Sequence, residues 1–213
     1  MSRAPEGPLP ADRFERILAA RAPSFGLELD AGRLAPLSGY LAELDRWRQK
    51  TNLTGRLSPE ELADHALESL VASPLIGAGE TVVDIGSGAG LPGLPIAIHR
   101  PDVRVALVEP RARRAAFLRH VGRALALPNA TVVEARIENV GGQTFDAATI
   151  RAVGGFDVWI GDAAFLREGG RLLAWTTDPA SVARELGPGF LIGRELTIPG
   201  SRARRVAVFE KRR

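Results

Sequence analysis

The stretch Thr81-Val82-Val83-Asp84-Ile85-Gly86-Ser87-Gly88-Ala89-Gly90-Leu91-Pro92-Gly93 constrains the fold more than any other part of the chain. Val82, Val83 and Ile85 form a short apolar run, the pattern of a parallel strand buried on both faces. Asp84 interrupts the run just before Gly86, Gly88 and Gly90. A strand that ends in a glycine turn exposes backbone N–H groups and leaves room for a nucleotide-like ligand. Gly88 to Gly93 fits the G-x-G-x-x-G spacing of dinucleotide sites. Counted from Gly86, the same turn is Gly-x-Gly-x-Gly after an acid, a pattern suited to S-adenosylmethionine (SAM), whose sulfonium and ammonium groups favour a nearby carboxylate. Glu109 closes the next apolar run, Val105 to Val108. An acid there accepts ribose hydroxyls in either kind of site. The bare turn leans towards SAM; a tight turn without a ligand is the alternative.

Strand and helix signals alternate after this turn. Strands are expected near 81–85, 104–109, 130–134, 145–150 and 170–175, and helices near 92–99, 111–126, 155–167 and after 178. Such alternation implies right-handed crossovers and a doubly wound parallel sheet. Phe190–Thr197 and Arg204–Glu210, joined through Ile-Pro-Gly-Ser-Arg, read as a closing antiparallel hairpin. That ending suits methyltransferases and is unusual for dinucleotide dehydrogenases. Upstream, Phe14, Ile17 and Leu18 predict a helix over 11–21, and a longer apolar pattern runs from Asp30 to Trp47. Ser58-Pro59-Glu60-Glu61 predicts a capped helix start, opening a helix over 59–73. Residues 1–73 thus form a helical extension and 74–213 a ligand-binding domain.

Charge and composition narrow the function. The chain has a formal net charge of +3 and no cysteine. Disulfides, thiolate zinc sites and a thiol nucleophile are excluded together. The three histidines, His65, His99 and His120, show no metal-ligand spacing, and no metal is expected. No apolar stretch approaches the roughly 20 residues of a membrane span, and the first residues do not resemble a signal peptide, so a cytoplasmic location is expected. Basic residues are almost all arginine, 26 against two lysines (Lys50 and Lys211). Arginine binds phosphate bidentately, although a GC-rich genome produces the same bias.

Arg111, Arg113, Arg114, Arg119 and Arg123 crowd one helix, either as a solvated face or as an RNA-phosphate surface. The basic tail from Arg202 to Arg213 is read as a frayed terminus or as part of that surface. Arg136-Ile137-Glu138 follows the third strand and lies at the carboxyl edge of the sheet, where the Ile137 N–H and the Glu138 side chain are placed to address an adenine. A loop ion pair is the alternative. Arg151 ends the fourth strand, where catalytic side chains of such folds project, ready to neutralise a carboxylate or phosphate. His65 reads as a partly buried structural residue; Trp47, Trp159 and Trp175 read as core.

Taken in order, Asn52-Leu53-Thr54, His65-Ala66-Leu67-Glu68-Ser69-Leu70, the glycine turn with Leu91-Pro92-Gly93, Glu109, Arg113 to Arg119, Arg136-Ile137-Glu138, Phe145-Asp146 and Ile150-Arg151-Ala152 closely resemble the RsmG (GidB) family of bacterial rRNA methyltransferases. The resemblance spans about 45–211. It implies a Rossmann-like class I methyltransferase fold with a seven-stranded sheet, SAM as cofactor, and methylation of guanine N7 in the 530 loop of 16S rRNA on the 30S subunit. By the same resemblance Gly86, Leu91, Ile137, Glu138 and Arg151 contact SAM, with Asp84 and Gly88 completing the turn and Glu109 on the ribose. Asn52, Arg136 and Arg151 become positioning residues of the reaction, and Arg113, Arg114 and Arg204 RNA contacts. The chain departs from the family pattern in having Glu68 for Asp, Arg113 for Lys, and Thr176-Thr177 for Lys-Gly. A monomer is expected, since most apolar positions are needed for the sheet core.

Overall fold

The computed structural model describes residues 7–151 and 163–212. Three helices precede the sheet: α1 (Ala11–Arg21), α2 (Ala31–Arg48) and α3 (Pro59–Leu70). The starts of α2 and α3 are capped by side chains. Asp30 caps α2 by accepting from the Arg33 N–H at 2.9 Å. Ser58 and Glu61 form the expected reciprocal box at the start of α3, with Glu61 N to Ser58 Oγ at 3.1 Å and Ser58 N to a Glu61 carboxylate oxygen at 2.6 Å. The expected run to 73 stops at Leu70, and a short 3-10 turn over Ser73–Leu75 replaces the last part. An Arg21–Asp64 ion pair ties α1 to α3.

The sheet follows: β1 (Thr81–Ile85), α4 (Gly93–His99), β2 (Arg104–Val108), α5 (Ala112–Ala124), β3 (Ala130–Val133), β4 (Phe145–Arg151), β5 (Leu166–Thr176), α6 (Pro179–Leu186), β6 (Phe190–Thr197) and β7 (Arg205–Lys211). Strand order is β3-β2-β1-β4-β5-β7-β6. The first five strands pair in parallel, and β7 runs antiparallel between β5 and β6. This is the doubly wound, hairpin-terminated sheet expected from the alternation. Of the predicted 155–167 helix, 155–162 lie outside the described residues, as does Trp159. Residues 166 and 167 already belong to β5, which starts at Leu166 instead of near 170.

Strand alternation sends side chains to two cores. Val82, Val105, Leu107, Ala147 and Leu173 pack with α1–α5, including Tyr40, Leu67, Leu94 and Phe117. Val83, Ile85, Ala148, Ile150 and Leu172 pack on the other face with Ile137, Val182 and Leu186. The helical extension therefore shares one hydrophobic core with one face of the sheet. The C-terminus is tied down instead of frayed as far as Lys211, whose ammonium donates to the carbonyls of Ala163 and Leu166 at 2.8 and 2.9 Å.

Candidate active site

At the carboxyl ends of β1 and β2 the sheet opens into a cleft of about 960 Å³. Its floor is the glycine turn. Gly86 N and Ser87 N donate to the Val108 carbonyl at 2.8 and 3.1 Å, which holds the turn against the end of β2. Gly88 sits at φ +53°, a left-handed backbone that suits glycine. Its N–H donates to Glu109 at 2.9 Å, and the other Glu109 oxygen accepts from Arg111 N at 2.8 Å. The Glu109 carboxylate thus bridges the turn and the start of α5, and it lines the cleft.

Of the residues singled out by the sequence, Gly86, Gly88, Leu91, Glu109, Arg114, Arg136, Ile137, Glu138 and Arg151 are brought together around this cleft. Leu91 and the buried Ile137 give it apolar walls, while Arg136 and Glu138 stand exposed at its rim. Asn52 is exposed and does not line the cleft; its carbonyl accepts from Arg114 Nη2 at 3.2 Å, so its backbone fastens the 51–57 loop to α5. Leu53 and Thr54 of that loop reach the cleft instead. Arg113 is exposed on α5, outside the cleft.

Asp84 also lies outside. It alternates with Val83 and Ile85, so it points to the face of the sheet that carries α4. There it stands opposite Thr149 in register, accepting from Thr149 Oγ1 at 2.8 Å and from Gly93 N at 3.2 Å. Burial pushes its carboxyl up to about 6, against the pull of the Thr149, Ser87 and Gly93 hydrogen bonds. Asp84 therefore braces the start of α4 behind the turn and does not line the cleft, so of an approach to a cation directly or through water the direct one is not its geometry here. The alternation alone carried that signal.

A second cavity, of about 330 Å³, opens at the ends of β4 and β5. Among the described residues Arg151 is the one that lines both cavities. The smaller cavity is bounded by Glu68, Trp175, Thr176, Thr177 and Arg204. Arg204, placed by sequence on an RNA surface, stands here in the loop before β7 and pairs with the Glu68 carboxylate. Arg151 Nη2 reaches the other Glu68 oxygen at 2.9 Å, and Arg151 Nη1 donates to the His65 carbonyl at 3.0 Å. The His65 ring also contacts Arg151 through Nδ1. Burial first, then the charges of Arg151 and Arg204, lower His65 to about 4. The ring is neutral at pH 7 and accepts at Nδ1 as the Nε2–H tautomer. His65 is partly buried, as expected, but it belongs to the site. Sequence reading missed the joint role of His65 and Glu68; two polar residues three apart on the α3 face that buries Leu62, Ala66 and Leu70 were the available signal.

A family profile described as rRNA small subunit methyltransferase G (GidB) matches residues 33–181. The chain belongs to this family. A GidB-family protein of Xanthomonas campestris pv. campestris (strain B100), named ribosomal RNA small subunit methyltransferase G, is 42% identical over 181 residues, covering 81% of this chain and 84% of its own. One of the same name from Nitrosospira multiformis is 37% identical over 202 residues, covering 89% and 93%. Among solved structures, a SAM-dependent methyltransferase from Aquifex aeolicus aligns with a TM-score of 0.57 at 14% identity, over 69% of this chain and 90% of that one. A ribosomal protein L11 methylase from Lactobacillus delbrueckii subsp. bulgaricus aligns with a TM-score of 0.58 at 12% identity, over 71% and 80%. These likenesses establish a Rossmann-like class I methyltransferase fold for this GidB-family chain.

Proposed function

We propose that this protein transfers the methyl group of SAM to N7 of a guanine in the 530 loop of 16S rRNA, acting as a cytoplasmic monomer on the small ribosomal subunit. The observation that carries this reading is the pair of cavities meeting at Arg151, in a chain of the rRNA small subunit methyltransferase G family. The larger cavity lies within the roughly 300–1,000 Å³ range of small-molecule sites, and its residues fit SAM. Glu109 would take the ribose hydroxyls, Ile137 and Leu91 would give the adenine apolar contact, and the Ile137 N–H and Glu138 side chain would read its edge. Arg151 would take the amino-acid carboxylate. When bound, SAM supplies an electrophilic methyl on a sulfonium.

The smaller cavity receives the acceptor base. Guanine N7 carries a lone pair and no proton, so the site needs to align three atoms and need not remove a proton. The titratable groups around the junction suit that chemistry. Glu68 is taken up by two arginines, and the Nδ1 of neutral His65 by Arg151. Neither stands free as a general base. Arg113 and Arg114 on α5 and the exposed Arg136 extend the positive surface along the approach to the cleft, where RNA phosphates would lie.

Tritiated-methyl transfer from SAM to 30S subunits from a strain lacking the gene tests the proposal, with naked 16S rRNA and tRNA alongside. Borohydride–aniline cleavage then locates N7-methylguanine. A single stop in the 530 loop is expected. Label on another RNA would refute the substrate and keep the reaction; no label on any RNA would refute both.

A further inference from the structure

All hydrogen bonds of the Arg151 guanidinium among the described residues run to one helix, α3, through His65 and Glu68. The helix lies outside the sheet that carries Arg151, yet it decides where this guanidinium sits. Glu68 is itself fixed at both ends. Its backbone carbonyl accepts from Trp175 Nε1 at 3.1 Å, pinning α3 to the end of β5. Its side chain, 1% exposed, divides its two oxygens between Arg151 and Arg204. We infer that Glu68 is a positioning residue of the methyl-transfer site, holding the Arg151 guanidinium between the cofactor cleft and the acceptor cavity.

Two features set this apart from a tie that only joins α3 to the sheet. The joint is already sealed by Leu62, Ala66, Leu67 and Leu70, all buried on α3. A buried ion pair adds little net stability beside such packing, because desolvation offsets most of the attraction. The second feature is charge. One carboxylate faces two guanidiniums with a neutral imidazole beside them, so the junction carries one net positive charge. Arg151 held there by Glu68 is left to face an anionic group of the cofactor or acceptor. Without Glu68 the guanidinium, on four rotatable bonds, keeps its contacts to His65 but loses the carboxylate that sets it between the two cavities. A displacement of about 1 Å at such a site costs up to a hundredfold in rate.

The inference rests on the methyl-transfer reading, and its test separates the two. Glu68→Gln, Arg151→Gln and the double variant are compared by kcat and KM on 30S subunits, by SAM affinity, and by melting. Glu68→Gln is expected to lower kcat on the order of ten- to a hundredfold and to weaken SAM several-fold, with acceptor KM within about threefold. In the Arg151→Gln background it is expected to change kcat by less than about twofold, the non-additivity of residues acting through one another. Glu68→Asp, which keeps the charge one methylene short, should recover part of the loss, and it stands in if Glu68→Gln does not fold. Additive losses, or an unchanged kcat in Glu68→Gln, would overturn the inference. If the wild type labels no 30S subunit, the function is what fails, and the inference is then read from ¹⁵N NMR of the Arg151 side chain. Separate, slowly exchanging Nη signals in the wild type that merge in Glu68→Gln support it; signals equally separate in both overturn it.

Discussion

The two cavities meet at one arginine but are built by different means. The larger, proposed to hold the cofactor, rests on backbone: the turn from Gly86 to Gly90 is held by the Val108 carbonyl, and Glu109 is gripped by the N–H groups of Gly88 and Arg111. The turn, Glu109 and the start of α5 lie within about thirty residues of sequence, on the ends of adjacent strands. The smaller, proposed for the acceptor, is made of side chains drawn from α3, β4, β5 and the loop before β7, with Arg151 and Glu68 separated by 83 positions. A site of backbone donors is fixed by the fold itself. A site of charged side chains holds its geometry only while every partner is present.

The largest break is expected from Arg151→Ala. It empties the junction of both cavities and leaves the buried Glu68 with Arg204 as its remaining partner. Stability should fall by about 3 kcal/mol in denaturant titration, with methyl transfer down at least a hundredfold. Next is a contrast in pH dependence. Asp84, raised from 3.8 to about 6, contributes stability present below pH 4 and lost as pH rises through 6, on the order of 3 kcal/mol. His65, lowered from 6.5 to about 4, contributes stability present above 6.5 and lost as pH falls through 4. The two oppose each other in one window. The difference curve of wild type minus Asp84→Asn should therefore fall from pH 4 to 6, and that of wild type minus His65→Asn should rise from pH 4 to 6.5. Equal slopes in both difference curves would contradict this.

On the cofactor side, Gly90→Ala places a Cβ 2.4 Å from Leu94 Cδ1 at a backbone φ of +93°. It should cost roughly 2 kcal/mol and weaken SAM binding by calorimetry, while leaving the Arg151 side-chain signals unaltered. Tyr40→Phe is smaller. The fully buried Tyr40 hydroxyl donates to the Ala89 carbonyl at 3.0 Å, so α2 props the turn from behind. Its loss should cost about 1 kcal/mol and loosen SAM several-fold. The smallest effect belongs to the exposed Arg113. Arg113→Ala should leave stability within about 0.5 kcal/mol and lower the salt slope of RNA binding by about one.

This contrast also explains what the sequence made legible. Apolar runs, glycines and the Ser58–Glu61 box are local signals, and they placed the strands, the capped helix and the cofactor turn. Glu109, Ile137 and Glu138 meet around one cleft because strand ends in a doubly wound sheet share one edge. Asp84 was singled out for its acidity, while its alternation with Val83 and Ile85 turns its side chain to the α4 face. The Glu68–Arg151–Arg204 junction was not legible as a unit. No short-range pattern tells which of many arginines a buried glutamate meets across the fold. Tyr40 read as one more apolar position on α2, with nothing to mark its hydroxyl.

The most direct test of the two-cavity account is a crystal structure with S-adenosylhomocysteine bound. The account predicts the adenine between Leu91 and Ile137, the ribose on Glu109 and the sulfur turned towards Arg151, with the cavity beside Thr176 left open for the base. A nucleoside seated instead between Trp175, Thr177 and Arg204 would contradict it.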